Sequence, residues 1–230
     1  MTTQTRMASQ RALMGQQGWP RSLPELFDRD PVPFSSIRHM AIDLQRKFLN
    51  SSELAQIARY IDQNVAPEFN RMGVPTYWVY WPRYACTMPK NLRELQQRGR
   101  ERVLAEVDYD IHPAPGDHIL PKNNDSALSH IFKGESKDLT LTHQRLRRDR
   151  ARLLLLSGVY FNSCVAATAV DACNRGYHVA VMTDASDAPE NRAYYARDMD
   201  EAGVIFTTSE EAFAVLRQQA QRVVNGNHLK

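Results

Sequence analysis

Residues 151–164 read ARLLLLSGVYFNSC, and an alanine-rich stretch with helical spacing, Val165 to Cys173, follows directly. The leucine run is short and ends in glycine, which predicts a buried strand from about Arg152 to Ser157. A buried strand that leads at once into a helix is the repeating unit of a parallel α/β sheet. The stretch therefore places Cys164 at the carboxyl end of a strand and at the start of a helix.

Cys164 is a candidate nucleophile because of this position. A helix N-terminus carries partial positive charge and unpaired N–H groups, which stabilise a thiolate and can hold a developing oxyanion. The alternative is a small buried core residue, since free cysteine is among the most buried residue types. Position alone does not decide between the two.

The same strand-and-helix alternation extends over most of the chain and predicts an α/β domain with six strands. An N-terminal arm of residues 1–36 precedes it, because Pro20, Pro24, Pro31 and Pro33 prevent a long helix. Residues 37–230 form the predicted domain. The predicted strands are Ile37 to Asp43, Pro75 to Trp81, Asp117 to Pro121, Arg152 to Ser157, Tyr177 to Met182 and Val204 to Thr207. The predicted helices are Ser52 to Met72, 90 to 107, at least one within Ser126 to Arg148, Ser163 to Arg175, Glu190 to Ala202 and Ser209 to Val224.

Composition excludes several classes of protein. With 43% hydrophobic and 24% charged residues, the chain is of ordinary globular composition, and no apolar run reaches the roughly 20 residues of a membrane-spanning helix. Residues 1–17 lack the apolar centre of a signal peptide. The three cysteines form no Cys-x-x-Cys motif, which favours free thiols in a reducing compartment. We expect a cytoplasmic protein without membrane partners.

The net charge of +3 is mild, and the basic residues cluster mainly in Arg145 to Arg152. A nucleic-acid site would place such a cluster among aromatic residues or in a known binding module, and neither is present. The cluster predicts a solvated helix end or a subunit contact, and nucleic acid is not an expected partner.

Three polar residues end predicted strands, namely Asp43, Lys122 and Cys164. Functional sites of parallel sheets lie beyond the carboxyl ends of the strands, so these side chains are expected to meet. A carboxylate can take the proton of a thiol, and an ammonium favours the thiolate. Considered alone, Asp43 could cap a turn and Lys122 could be a surface lysine. The stronger evidence is that Asp43, Lys122 and Cys164 each end a predicted strand, in this order along the chain.

At these residues the chain resembles the isochorismatase-like cysteine hydrolases, a superfamily that includes nicotinamidases, N-carbamoylsarcosine amidohydrolases and isochorismate hydrolases. The resemblance spans about residues 37 to 208. Its most specific block runs from Leu156-Ser157-Gly158-Val159 through Cys164-Val165 to Asp171, Arg175-Gly176-Tyr177 and Asp184-Ala185. The other blocks are Ala41-Ile42-Asp43-Leu44-Gln45 with Phe48-Leu49, and Gly116 to Lys122 with Ser126-Ala127.

The resemblance implies a Rossmann-like three-layer fold with a six-stranded, mainly parallel sheet. It also implies that Cys164, Asp43 and Lys122 form a catalytic triad, with a non-proline cis peptide between Val159 and Tyr160. The backbone N–H groups of Tyr160 and Cys164 would then form an oxyanion hole. On this reading Asp43 accepts the thiol proton, returns it to the leaving amine and then helps water to release the thioester.

The sequence indicates the superfamily more clearly than it indicates which branch of the superfamily the chain resembles. Family nicotinamidases carry an Asp-x-His metal motif after the second strand, whereas residues 81–86 here read WPRYAC, so we expect no metal and no cofactor. Because Cys164 is present, hydrolysis of a C–N bond in a small amide or carbamoyl compound is favoured. The alternative is hydrolysis of an isochorismate-type vinyl ether, since some family members with that role keep the thiol.

Substrate contacts are expected from residues after the first two strands. Trp81 or Tyr80 could stack on a planar substrate, and Arg83 could pair with a carboxylate, although core packing and a surface role are the alternatives. Gln45 and Phe48 belong to the block that contains Asp43. Tyr160 and Phe161 are bulkier than the small residues frequent there in the family, which indicates a narrow pocket.

A different class of function is a non-catalytic interaction protein that keeps the fold, with the arm and the segment Arg145 to Arg152 as its binding surface. A complete set of reactive residues argues against it, although fold alone does not guarantee activity. The arm and the helices beside the cysteine strand suit self-association, so a homo-oligomer is expected.

Overall fold

The computed structural model describes residues 18–82, 89, 91–129, 140–186 and 192–227, without the side chains of 192–195 and 223–227. Six strands form one sheet in the order β3-β2-β1-β4-β5-β6, and every neighbouring pair is parallel. The strands are β1 (Ile37–Ile42), β2 (Thr76–Tyr80), β3 (His118–Pro121), β4 (Leu153–Gly158), β5 (His178–Ser186) and β6 (Ile205–Thr207). The predicted α/β, Rossmann-like fold is confirmed.

Helices cover both faces of the sheet. They are α1 (Leu23–Arg29), α2 (Ser52–Tyr60), α3 (Ala66–Arg71), α4 (Leu92–Gln97), α5 (Arg100–Val107), α6 (Leu141–Arg148), α7 (Ala166–Asn174), α8 (Arg192–Ala202) and α9 (Ser209–Asn227). One core layer joins the sheet to α1, α2, α3, α5 and α9. The opposite layer joins it to α6, α7 and α8. Because both faces are covered, every residue of β1, β2 and β4 is buried.

Local sequence signals account for most helix boundaries. Ser51, Asn91 and Thr140 each accept a hydrogen bond from a backbone N–H in the first turn of α2, α4 and α6. The predicted helix 90–107 is divided at Gly99, whose φ of 76° is incompatible with a continuous helix. The predicted helix Ser52 to Met72 exists, but a π-helical segment, Ile61–Val65, separates α2 from α3.

The predicted strands differ from the observed ones at their ends. Asp43 lies just beyond β1, and β5 continues to Ser186 where the sequence predicts an end at Met182. In β5 the residues after Met182 include the polar Thr183 and Asp184, which weaken the apolar signal although the strand continues. Strand ends are set by pairing to neighbours, and a single strand's sequence does not show that pairing.

The described part of the predicted arm packs against the domain. Leu23, Leu26 and Phe27 of α1 are buried in the first core layer. Asp30, which follows α1, pairs with Arg152 at 2.7 Å and with His178 at 2.9 Å, below β4 and β5. The boundary at residue 36 stays a prediction, and residues 1–17 lie outside the described part. Across the described helices, none combines the length and apolarity that a bilayer span requires.

Candidate active site

The strand order reverses direction between β1 and β4, which are neighbours in the sheet although distant in sequence. A crevice forms beyond the carboxyl ends of the strands at such a reversal, and ligands of open α/β sheets bind there. Asp43 follows β1, Cys164 lies after β4, and Lys122 follows β3. The topology therefore brings three residues that are far apart in sequence to one edge.

Asp43 lies at the centre of this edge. Its backbone N–H donates to the Val79 carbonyl at 2.9 Å, and its φ of 57° is a left-handed conformation that Asp adopts more easily than most residues. The side chain is fully buried. Burial raises the pKa of the Asp43 carboxyl, and the ammonium of Lys122 opposes this rise.

Lys122 reaches Asp43 from two strands away, across about 10 Å at the usual strand spacing. Its backbone N–H donates to the Tyr80 carbonyl at 2.8 Å, which fixes the start of the side chain. Its Nζ lies 2.6 Å from Asp43 Oδ2, and the two side chains are 0% and 1% exposed. The same ammonium donates to the Asp125 carbonyl at 2.8 Å and lies 5.3 Å from the centre of the Trp81 ring. A buried ammonium with these partners holds the carboxylate in place.

Cys164 lies in a π-helical segment, Phe161–Val165, that leads into α7. The Tyr160 carbonyl accepts hydrogen bonds from Ser163 and Val165, both at 3.1 Å, which closes this first turn. Cys164 is 5% exposed, and the charges of the nearby Asp43 and Lys122 both act on the pKa of its thiol. Burial, and then the charge of Asp43, raise the pKa of the Cys164 thiol to about 11. The thiol is therefore neutral at neutral pH, although the helix start favours a thiolate.

The turn before Cys164 is set by a close approach of two strands. Gly158 has a φ of 127°, and a Cβ atom there would lie 2.2 Å from the Ile42 carbonyl oxygen. Val159 donates its N–H to that same oxygen at 3.0 Å. The peptide bond between Val159 and Tyr160 is cis. Only glycine permits β4 to end this close to β1, and Asp43 and Cys164 come together as a result.

The residues predicted to contact a substrate have different positions. Trp81 is half-buried beside Lys122, and Phe48 packs edge-on against Tyr160 with ring centres 6.3 Å apart. Gln45 is buried, with its side-chain amide bonded to both the N–H and the carbonyl of Trp81, at 2.7 and 2.8 Å. Gln45 therefore positions Trp81.

Tyr80 does not reach the site. Its ring belongs to the core layer opposite that of Cys164, and its hydroxyl donates to Glu106 at 3.3 Å. The side-chain alternation of β2 turns Tyr80 to the face covered by α5, which corrects its assignment as a stacking residue. Arg83 lies outside the described residues, as does most of the stretch 81–86.

Two further features of the site were given no role from the sequence. Lys47 lies near Asp43 and donates to the Trp81 carbonyl at 3.2 Å. Its place four residues after Asp43, in the loop beyond β1, is the signal that could have identified it. The second feature is Asp171 of α7, which accepts from Ser126 at 2.8 Å and from Arg175 at 3.0 Å. This network ties the segment after Lys122 to the helix that carries Cys164.

The described residues include no group of three or more His, Cys, Asp or Glu side chains arranged to hold a metal ion. A cavity of about 230 Å³ lies at the outer edge of β3, between α4, α5 and α6. Neither Asp43, Lys122 nor Cys164 lines it, so this cavity is separate from the candidate active site.

Comparisons with known proteins concern the family and the fold. A family model described as "Isochorismatase domain" matches residues 39–211, a range that contains all three reactive residues. The Isochorismatase family protein 2B of Dictyostelium discoideum is 27% identical over 123 residues, which are 52% of this chain and 55% of that relative. The match thus spans about half the length of the curated relative.

Two solved structures share the fold. N-carbamoylsarcosine amidase from Thermoplasma acidophilum has a TM-score of 0.56 at 22% identity, covering 76% of this chain and 96% of that one. A cysteine hydrolase from Pseudomonas syringae pv. phaseolicola 1448A has a TM-score of 0.60 at 17% identity, covering 82% of this chain and 96% of that one. At these identities the likeness concerns the fold.

Proposed function

This chain belongs to the isochorismatase family, and from that membership we propose that it is a cysteine hydrolase that cleaves the C–N bond of a small amide or carbamoyl compound. The observation that carries the proposal is the buried Lys122–Asp43 pair, 2.6 Å apart, whose two charges both act on the pKa of the Cys164 thiol. A carboxylate, an ammonium and a thiol in one buried group are costly to maintain, so a chemical role accounts for them better than packing does.

In the first half-reaction the Cys164 sulfur forms a bond to the carbonyl carbon of the substrate. Its proton passes to Asp43, whose pKa is already raised by burial and which therefore accepts it readily. The N–H groups of Tyr160 and Cys164 are proposed to stabilise the oxyanion. The C–N bond then breaks, the leaving nitrogen takes the proton from Asp43, and a thioester remains on Cys164.

In the second half-reaction Asp43 removes a proton from water, and the hydroxide attacks the thioester carbon. The C–S bond breaks, the sulfur recovers a proton, and the carboxylic acid product leaves. Lys122 favours the ionised form of Asp43, because its ammonium offsets part of the cost of a buried carboxylate. The thiol pKa of about 11 fits this scheme, in which sulfur loses its proton only as the bond forms.

A screen of small primary amides and carbamoyl compounds, with ammonia release as the signal, tests the proposal. With an active compound, we expect Cys164→Ala to lower turnover at least ~1,000-fold while the fold is kept. Cys173→Ala is the matched control, because Cys173 is a buried cysteine of α7 whose side chain packs in the same core layer. Intact-protein mass spectrometry should find the acyl adduct on Cys164; full activity of Cys164→Ala would refute the nucleophile.

A second candidate is hydrolysis of an isochorismate-type vinyl ether. The raised pKa of Asp43 favours it, because a protonated carboxyl can donate its proton to the terminal vinyl carbon. Water then adds to the carbon that bears the ether oxygen, and the C–O bond breaks to release pyruvate. This route does not use the thiol, so Cys164→Ala would keep pyruvate release and Asp43→Asn would lose it.

The non-catalytic alternative predicts a different behaviour of the cysteines. An enzyme of the proposed kind should form an acyl adduct on Cys164 with an amide or carbamoyl substrate, whereas a binding protein forms none. The cytoplasmic location, the homo-oligomer and the small-molecule partner stay predictions, and a mass measurement in solution tests the second of them.

A further inference from the structure

Lys47 lies at the rim of the candidate active site. It belongs to a short 3-10 helix, Arg46–Phe48, that follows the loop containing Asp43. Its ammonium lies 4.7 Å from the centre of the Phe48 ring and 5.9 Å from that of Trp81. The buried ammonium of Lys122 lies 5.3 Å from the same Trp81 ring. Both ammonium groups therefore lie near the Trp81 ring. Lys122 is buried and paired with Asp43, whereas Lys47 is exposed at the rim of the site.

The pairing of these two lysines differs. Lys122 is neutralised by Asp43 at 2.6 Å, whereas within the described part of the chain no carboxylate lies within 4 Å of the Lys47 ammonium. Lys47 makes one hydrogen bond, to the Trp81 carbonyl at 3.2 Å, and an ammonium has three donors. The neighbouring Arg46 pairs with Asp110 at 3.7 Å. Lys47 is thus oriented by a carbonyl and two rings while its charge is not neutralised by a close acidic partner.

The charge balance of the site follows from these contacts. Asp43 and Lys122 form an ion pair, and Asp108 acts on Lys47 only from beyond ion-pair distance, so among the described residues the Lys47 ammonium has no close carboxylate partner. When Asp43 takes the thiol proton during the proposed attack, the negative charge passes from Asp43 to the substrate oxyanion, while both ammonium groups remain. Partial burial lowers the pKa of Lys47, because it removes part of the water around the ammonium. A charge in such surroundings interacts more strongly with an anion than one in open water does.

We propose that Lys47 is a specificity-determining residue that selects substrates bearing a carboxylate or similar anion next to the scissile bond. The proposal rests on the proposed function, because it assigns a substrate class to the same site. The Phe48 and Trp81 rings, which would otherwise attract a substrate cation, are already in contact with the Lys47 ammonium. The Lys47 ammonium should therefore weaken the binding of cationic amides, leave that of neutral amides unchanged and strengthen that of anionic amides.

Two alkylating reagents of nearly equal size test this without a known substrate. Iodoacetate is an anion and iodoacetamide is neutral, and both transfer their carbon to the Cys164 sulfur with loss of iodide. The quantity to measure is the ratio of the two rate constants at Cys164, followed by mass spectrometry at pH 9. Taking the ratio cancels any change in thiol pKa, because both reagents use the same thiolate.

The expected result is that Lys47→Met lowers the iodoacetate-to-iodoacetamide ratio roughly fivefold or more, mainly through slower iodoacetate. Lys47→Arg should keep the ratio near the wild-type value. Arg46→Met is the matched control, because it removes a neighbouring positive charge that is paired with Asp110. It should change the ratio by less than about twofold.

Each outcome discriminates between the two proposals. An equal ratio in wild type and Lys47→Met would overturn the role of Lys47 and leave the hydrolase proposal standing. An equal drop in Arg46→Met would also overturn it, since the effect would then be general surface charge. If neither reagent modifies Cys164, the nucleophile itself is refuted and the role of Lys47 falls with it.

Discussion

Replacing Lys122 with methionine removes the partner of a fully buried carboxylate and keeps most of the side-chain volume. At 2.6 Å, and with an effective dielectric constant near 20, the lost attraction is about 6 kcal/mol. Removing one partner of a buried pair usually costs about 3–5 kcal/mol, because the remaining charge can relax or become protonated. We therefore expect Lys122→Met to lower the free energy of unfolding by about 4 kcal/mol at pH 8, a large share of the stability of a typical domain.

The loss should depend on pH in a defined direction. The pKa of Asp43 is raised in the folded protein, and removal of Lys122 raises it further, because the ammonium is the main opposing influence. A group whose pKa is raised on folding contributes stability that is lost as pH rises through the folded value. The difference between wild type and Lys122→Met should therefore be small near pH 5 and grow towards pH 8.

Urea unfolding followed by far-ultraviolet circular dichroism at pH 5, 6.5 and 8 measures this effect. The double variant Asp43→Asn/Lys122→Met should recover much of the loss at pH 8, since no buried charge is left unpaired. A loss in Lys122→Met that is independent of pH would refute the reasoning. So would a double variant whose loss equals the sum of the two single losses.

Two further predictions concern the framework of the site. Gly158→Ala should lower stability by about 2 kcal/mol or more, because a methyl group would collide with the Ile42 carbonyl at a φ of 127°. Gly116→Ala is the control and should leave stability nearly unchanged, because no atom lies within 4 Å of a new Cβ there. Thermal melts of the two variants measure the difference. Burial lowers the pKa of His39 to about 3, so stability should fall as pH drops from about 6.5 towards 3. His39→Gln should remove up to about 5 kcal/mol of that acid loss in urea titrations, and an unchanged pH slope would contradict it.

The sequence predicts the parts of the fold and of the site that depend on local signals. The run Leu153 to Leu156 is apolar without alternation, which is typical of a central strand covered on both faces. Asp43, Lys122 and Cys164 each follow such a strand. A parallel topology then brings the three residues to one edge, so their proximity follows from strand order alone.

The direction in which a side chain points is harder to predict from the sequence than its place along a strand. All of β2 is buried, so apolar character does not distinguish the face of Tyr80 from the face of Tyr77. From the sequence, Gln45 is a candidate substrate contact. In the structure its side-chain amide forms hydrogen bonds with the backbone of Trp81, a contact that depends on β1 and β2 lying side by side.

The charge state of the site also depends on three dimensions. A helix start favours a thiolate, which lowers a thiol pKa. Burial of Cys164 and the charge of Asp43 act in the opposite direction and dominate. Neither the depth of the thiol nor its distance from Asp43 can be calculated from helix position, so the sequence alone does not give the direction in which the thiol pKa is shifted.

The pKa of the Cys164 thiol in Asp43→Asn tests the central claim most directly, because it needs no substrate. The pH dependence of iodoacetamide alkylation at Cys164 gives the value in wild type and variant, with Cys173 as an internal reference. We expect about 11 in wild type and a lower value in Asp43→Asn, because the carboxylate no longer opposes formation of a thiolate. An unchanged pKa would show that Asp43 and Cys164 do not act on each other, and would contradict the proposed site.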